Sequence, residues 1–317
     1  MDSEIIVNQS LSEFIRTEAL NLGFFDCGFS KARHLPNDER RMEMWLEDGK
    51  NADMAYLERN REKRYNPNLL VEESKTVITV LFNYYPSEKL EEKDNFKISK
   101  YAYGKDYHYI IKDKLKLLLL KIEEKTGERK ARVFTDSAPV LDRAWARESG
   151  LGYIGKNTIL INKKGGSYFF IGHIILDLEV EFEAKSVANS CGTCTKCIQA
   201  CPTDALEPFK LDANKCISYL TIENRGDIPE EFSGKFENYI FGCDICMDVC
   251  PWNRFTIANS EPLFQPSEEL LKMRLADWEN LDKQKFKKLF RGSAVERAGF
   301  KGLKRNINFV SKLYPPS

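Results

Sequence analysis

Apolar residues first recur with a helical period behind Ser10, where Leu11, Phe14, Ile15 and Leu22 share one side. Ser10 with Glu13 three residues on forms a capping box, and Gly23 closes the segment. Arg33 to Asn66 is dense in charge, with Met42, Trp45, Met54, Tyr56 and Leu57 as apolar members. It reads as one or two surface helices ending at Asn66-Pro67. Thr76 to Phe82 is a continuous β-branched and apolar run, hence a buried strand. A solvated charged loop over Glu88 to Asp94 follows. Ile111, Leu115, Leu118, Leu119 and Ile122 then mark a long helix over Tyr107 to Lys125, stopped at Gly127. Ala131 to Thr135 reads as a short strand and Pro139 to Ser149 as a helix with proline in its first turn. Thr158 to Ile161 and Ser167 to Leu176, joined by Lys-Lys-Gly-Gly, read as a hairpin. The pattern is therefore α/β to about residue 185, then cysteine-rich, then helical and basic from Phe264 to Ser317.

Composition narrows the class. Hydrophobic content of 42% with 30% charged residues fits a soluble globular chain able to bury a full core. The longest apolar stretch, Tyr168 to Leu176, is broken by Gly172 and His173 and is far too short to span a membrane. The N-terminus has no basic region followed by an apolar one, so no export signal is expected and the cytoplasm is the default. With 48 basic and 48 acidic residues the net charge is zero, so any nucleic-acid surface has to be a local patch.

Cysteine spacing supplies the chemistry. Cys191, Cys194, Cys197 and Cys201 with Pro202 form the run C-x2-C-x2-C-x3-C-P, in which three thiolates converge on one cubane and the fourth serves a second. Cys243, Cys246 and Cys250 with Pro251 repeat the pattern, and the isolated Cys216 completes it. The crossing rule gives one 4Fe–4S cluster to Cys191, Cys194, Cys197 and Cys250, and the other to Cys216, Cys243, Cys246 and Cys201. Two zinc sites would also use eight cysteines, but the x2, x2, x3 run is not a usual zinc spacing. A disulfide framework belongs to short secreted chains, not to 317 residues without an export signal. Cys27, in an apolar stretch, is expected to be a buried small hydrophobe.

Several stretches, in order along nearly the whole chain, resemble the epoxyqueuosine reductase family. They are M-A-Y-L-E-R-N from Met54, I-S-K-Y-A-Y-G-K-D-Y-H from Ile98 and T-D-S-A-P-V-L-D-R-A-W-A-R-E-S-G-L-G-Y-I-G-K-N from Thr135. G-S-Y-F-F-I-G from Gly166, F-G-C-D-I-C from Phe241, C-P-W-N from Cys250 and F-R-G-S-A-V-E-R from Phe290 complete the set. His173 departs from it, standing where such sequences often carry Glu, and receives no catalytic role. The chain also stops soon after Asn306, without the helical-repeat extension of some members.

The resemblance implies an α/β (α+β) cobalamin-binding domain over 1–185, similar to the core of reductive dehalogenases and nitroreductases. It implies a bacterial ferredoxin-like domain with two 4Fe–4S clusters over 186–260 and a helical basic segment over 261–317. The implied activity is reduction of epoxyqueuosine to queuosine at the wobble position of tRNA with GUN anticodons. Electrons would come from an external low-potential donor through the clusters to cobalamin, in a monomer with no membrane contact. Asp136 is implied as the proton donor. From the residues themselves, a carboxyl among Phe134, Ala138 and Pro139 could have a raised pKa, or it could merely cap the helix from Pro139.

Positional matching puts Arg59, Ser99, Asp136, Leu160, Ser218, Cys243 and Asp244 beside the corrinoid. Gly152 and Gly155 would let backbone approach it, or simply serve turns. His108 resembles a family position, or is structural beside Tyr107 and Tyr109. Without a D-x-H-x-x-G motif, cobalamin is expected base-off with no protein histidine on cobalt. The candidates for tRNA phosphates are Arg225, Arg297, Lys301, Lys304 and Arg305, the alternative being a solvated amphipathic helix around Phe286, Leu289 and Phe290. The rival readings are a reductive dehalogenase-like corrinoid enzyme and a ferredoxin-type electron carrier.

Overall fold

The strand expected from Thr76 is apolar on both faces because it runs through the middle of a sheet. The computed structural model describes residues 10–93 and 95–312, so the N-terminal nine residues, Asp94 and the last five residues of the basic tail lie outside the described residues. The first elements are α1 (Leu11–Asn21), β1 (Asp26–Lys31), α2 (Pro36–Glu47), α3 (Arg61–Tyr65), β2 (Thr76–Asn83) and β3 (Lys97–Ile98). Then come α4 (Tyr107–Thr126), β4 (Ala131–Phe134), α5 (Asp142–Glu148), β5 (Tyr153–Ile154), β6 (Leu160–Ile161) and β7 (Phe169–Leu176). The cysteine region holds α6 (Lys196–Gln199), β8 (Leu206–Glu207), β9 (Lys210–Leu211), α7 (Ile217–Ile222), β10 (Tyr239–Phe241) and α8 (Ile245–Asp248). Four helices follow: α9 (Glu268–Leu271), α10 (Leu275–Glu279), α11 (Lys283–Phe290) and α12 (Gly299–Ser311).

The main sheet runs β1-β2-β7-β4, every neighbour antiparallel. Alternation along β2 sorts its side chains. Ile78, Val80 and Phe82 meet Ile15 and Ala19 of α1 and Ile111, Leu115, Leu118 and Ile122 of α4. Val77 turns the other way toward Trp145 and Ala144 of α5. Gly172 lets α4 lie close on β7, since a Cβ there would stand 2.9 Å from Leu115 and 3.0 Å from Ile111. The capping box at Ser10 forms in both directions, and α4 ends at Gly127 with φ 82°.

The second core joins distant segments. Phe96, Ile98 and Ala102 pack with Phe241, Trp278, Phe290, Val295, Leu303 and Ile307, and β10 pairs parallel with β3. Met247 and Phe264 belong instead to the core between the main sheet and its helices. The cores thus cut across the divisions expected at residues 185 and 260. Asn306, fully buried on α12, donates to the carbonyls of Thr221 and Ile240, both at 2.8 Å. Among the described residues no helix is long and apolar enough to cross a membrane.

Two expectations are corrected, and one strand is added. The helix expected from Pro139 begins at Asp142 with Leu141 at its cap, because Ser137 to Leu141 is spent turning back from β4. The hairpin does not form. Asn162 and Gly166 bridge across the Lys-Lys-Gly-Gly turn, but β6 then pairs with β5 and β7 with β2 and β4. Strand β1, holding the buried Cys27, went unread because its apolar run is short and interrupted by Gly28 and Ser30.

Replacing Asn306 by Ala leaves two buried carbonyls unpaired. It is expected to cost about 1–3 kcal/mol per unsatisfied group, read as a lower denaturation midpoint by circular dichroism. An unchanged midpoint would mean that α12 is not held by this side chain.

Candidate functional site

All nine cysteines are free thiols, so no disulfide framework exists. Helices α6 and α8 each present the middle of a cysteine run and pack on one another. The thiols act on one another in two sets. Cys197 feels Cys250 and Cys191, and Cys250 feels Cys191 and Cys194. Cys216 feels Cys201, and Cys243 feels Cys246 and Cys216. Cys246 responds to Cys216 and Cys201 and, more weakly, to Cys197, so the two sets adjoin. Burial pushes these five thiols up, and at four of them backbone N–H groups favour the thiolate: Ile198 at Cys197, Tyr219 and Ser218 at Cys216, Ile245 at Cys243, and Trp252 and Asn253 at Cys250.

The first set lines a cavity of about 230 Å³ with Lys156, Asn157 and Trp252. Among the described residues no three His, Cys, Asp or Glu close on a single metal ion. Ligands of a cubane stand farther apart than those of one ion, so thiols around a volume fit two iron–sulfur clusters better than two zinc ions. Lys156 clamps the rim, its Nζ donating to the carbonyls of Gly192 (2.7 Å) and Cys194 (3.0 Å).

Beside Cys243 lies a buried ionic brace. Asp244 is 1% exposed and accepts from Ser99 Oγ (2.5 Å) and from the backbone N–H of Lys100 (2.8 Å). Lys100 Nζ stands 3.4 Å from Asp244 and 2.8 Å from Asp248, which also accepts from Tyr168 Oη. Ser99 and Asp244 were expected beside a corrinoid. Here their side chains face each other inside the protein, where the buried carboxylate takes all three donors.

Across Tyr101 from this brace is an open acidic face. Thr135 is anchored by its hydroxyl on the Ile171 carbonyl (2.8 Å), and the next residue, Asp136, turns out of β4 with φ 50°. That left-handed conformation suits Asp better than most side chains. The Asp136 side chain is 63% exposed. Tyr107 Oη donates to Oδ2, and His108 Nε2 stands 3.4 Å from the same oxygen. The Tyr107 ring stacks on Phe170, centroids 4.1 Å apart at 8°. His108 Nδ1 is 2.7 Å from Asp106, which also caps α4 by accepting from the His108 N–H.

Burial would lower the His108 pKa, but the hydrogen bonds to Asp106 and Asp136 outweigh it and push the imidazole up to about 9. The protein crowding around Asp136 would raise it despite its exposed oxygens, and here His108 and Tyr107 win, holding it below the usual carboxylate range. The raised pKa expected for Asp136 is therefore corrected, as is the capping role, since α5 has no side-chain cap.

The remaining candidates lie on separate elements. Arg59 is exposed on the turn before α3, Leu160 is buried in β6 and Ser218 is half-buried in the first turn of α7. Gly152 and Gly155 serve the β5–β6 contact, a Cβ meeting Ile161 at 2.4 and 2.6 Å, and not an open approach. Arg297 forms a two-pronged pair with Glu223 (2.9 and 2.7 Å) and feels the charge of Asp136. Arg305 is spent on the carbonyls of Asn224, Gly226 and Leu220, and Lys304 on that of Glu279. Arg225 and Lys301 are exposed and make no hydrogen bond or ion pair within the described residues.

With this geometry in hand, the relatives are informative. A model described as epoxyqueuosine reductase QueG, DUF1730, matches residues 64–137, and one described as a 4Fe-4S double cluster binding domain matches residues 190–253. An epoxyqueuosine reductase of Cellulophaga algicola is 51% identical over 94% of this chain and 97% of its own length. The chain belongs to the epoxyqueuosine reductase family. The solved epoxyqueuosine reductase of Streptococcus thermophilus superposes with TM-score 0.85 at 32% identity, covering 94% of this chain and 80% of that one. An epoxyqueuosine reductase crystallised with an epoxyqueuosine-modified tRNA-Tyr stem loop gives TM-score 0.83 at 29% identity, over 95% and 80% of the two chains.

Sequence reasoning missed the Tyr107–Asp136 bond and the Lys100–Asp248 pair. Both basic and aromatic residues lay inside quoted family stretches, but their partners are 29 and 148 positions away.

Two outcomes follow. His108 is charged in the folded state up to about pH 9 against an ordinary 6.5, so its stabilising contribution is full below about 6.5 and lost as pH rises through about 9. The melting-temperature gap between wild type and His108→Gln should close over that window; a gap independent of pH would contradict the pairing. Serine at Cys250 is expected to damage the cluster of Cys191, Cys194 and Cys197, although its neighbour in sequence is Cys246. Electron paramagnetic resonance showing loss of the other cluster instead would refute the crossed sets.

Proposed function

We propose that this chain reduces epoxyqueuosine at the wobble position of tRNA, in GUN anticodons, to queuosine. The observation that carries the reading is the 51% identity to an epoxyqueuosine reductase along 94% of the chain, with an exposed, doubly held Asp136 in the same molecule as two four-thiol sets. Two electrons and two protons remove the epoxide oxygen as water and leave the cyclopentene.

Cys191, Cys194, Cys197 and Cys250 hold the outer 4Fe–4S cluster, next to the open cavity. Cys216, Cys243, Cys246 and Cys201 hold the inner one, toward the Asp244 brace and Tyr101. By role and not by packing, residues 1–185 would supply the cofactor and substrate part, 186–260 the cluster part and 261–317 the helical basic part. Electrons enter singly from an external low-potential donor, each cubane cycling through one.

Cobalamin bound over the Asp136 face would supply the low-potential chemistry at the epoxide carbon. The three histidines are all engaged by protein partners. His34 pairs with Glu39, His108 with Asp106 and Asp136, and His173 lies between Thr79 and Asp142. Arg59, Leu160, Ser218 and the backbone about Cys243 are the contacts this chain would offer cobalamin.

Asp136 is the residue that hands a proton to the departing oxygen. Its own carboxyl is ionised at neutral pH, and the proton is stored on His108, 3.4 Å from Oδ2. Tyr107 fixes the carboxylate's direction. Among the tRNA candidates Arg225 and Lys301 are free within the described residues to meet phosphates, and Arg297, held by Glu223, would face the nucleotide. The protein is expected to act as a monomer in the cytoplasm.

Asp136→Asn should keep its fold and iron yet lose roughly a hundred-fold or more in turnover, as expected for a positioned proton donor. Nucleoside mass spectrometry of tRNA from a deletion strain carrying this variant should show epoxyqueuosine in place of queuosine. Normal queuosine would remove Asp136 from the chemistry. Arg225→Ala with Lys301→Ala should weaken tRNA binding and flatten its salt dependence; an unchanged salt slope would mean that the phosphates lie elsewhere.

A further inference from the structure

We infer that the Tyr153 hydroxyl donates a hydrogen bond to a sulfur of the outer cluster and raises that cluster's reduction potential. The inference rests on the iron–sulfur reading above and concerns a residue that reading leaves without a role. Tyr153 lies on β5 and is 2% exposed. Its ring meets Trp252, two residues past Cys250, edge-on at 6.2 Å. Its Oη is one of five buried side-chain polar atoms among the described residues that have no hydrogen-bond partner. The other four, on Arg64, Asp177, Trp278 and Ser311, belong to no cysteine set.

What surrounds the orphan hydroxyl identifies its acceptor. Although no well-aligned bond forms, the Cys191 thiol lies within hydrogen-bonding reach, and Cys250 and Cys194 of the same outer set are next nearest in effect. A phenol shut away from water without a partner is costly, and native proteins rarely keep one without a use. Phenylalanine would fill the same apolar space, so packing does not explain the oxygen. Lys156, three residues on, does not compete for the sulfur, because its Nζ is spent on the Gly192 and Cys194 carbonyls.

A hydrogen bond to cluster sulfur favours the more negative, reduced form, and such bonds are among the factors that set cubane potentials. Tyr153 is therefore a positioning residue for electrons. It makes the outer cluster easier to reduce than it would be without the bond, while no bond to iron is made or broken.

The test uses the full chain purified without oxygen and loaded with both clusters. In a reductive titration followed by electron paramagnetic resonance, Tyr153→Phe should shift the midpoint of one cluster to more negative potential and leave the other unmoved, with iron content unchanged. In the reduced wild type, electron–nuclear double resonance after exchange into D2O should show an exchangeable proton coupled to the outer cluster, absent from the variant. Equal midpoints in wild type and variant, or the absence of that coupling in wild type, would overturn the inference. The wild-type measurement stands even if the variant loads poorly. Wild-type protein unable to hold iron would instead sink the cluster reading, and the inference with it.

Discussion

A carboxylate with almost no access to water, Asp244, is what the two halves of this protein share. It can stay in the interior because Ser99, the Lys100 backbone and the Lys100 ammonium all reach it, and because Asp248 and Tyr168 complete the set. Removing one member would strand a buried charge, a change that typically costs 3–5 kcal/mol. The geometric consequence is larger than the energy. Ser99 and Lys100 lie just before α4, whose first turn carries Tyr107 and His108. Asp244 and Asp248 flank Cys246 on α8, between Cys243 of the inner set and Cys250 of the outer one. One ionic knot thus fixes the separation between the inner thiols and the acidic face.

That face illustrates how neighbours and not burial decide a charge. An exposed carboxylate between a phenol and an imidazolium stays ionised, and the imidazolium keeps its proton between two carboxylates. The imidazolium proton stands 3.4 Å behind the exposed carboxylate, the arrangement on which the proposed proton delivery rests.

Much of this was legible in the chain. The β2 run, the Ser10 capping box, the α4 stripe and its Gly127 stop are local signals, set by neighbours within a few residues. The cysteine spacing is equally local and points directly to cluster ligation. What escaped is non-local. Asp136 looks like a helix cap when only Pro139 is in view, and its true partners come from α4. Arg305 and Lys304 look like phosphate ligands until the carbonyls of the 220–226 loop and of Glu279 are brought to them. The Lys-Lys-Gly-Gly turn forms, but the strands on either side find better partners in other segments.

The central claim is that this chain itself carries out the deoxygenation. Its most direct test is a single-component reaction under anaerobic conditions, with cluster-loaded protein, cobalamin, a chemical reductant and tRNA bearing epoxyqueuosine. Mass spectrometry of the digested nucleosides should show the modified base lighter by one oxygen atom, in an amount that exceeds the protein over time. Recovery of unaltered epoxyqueuosine from protein with both clusters reduced would contradict the account.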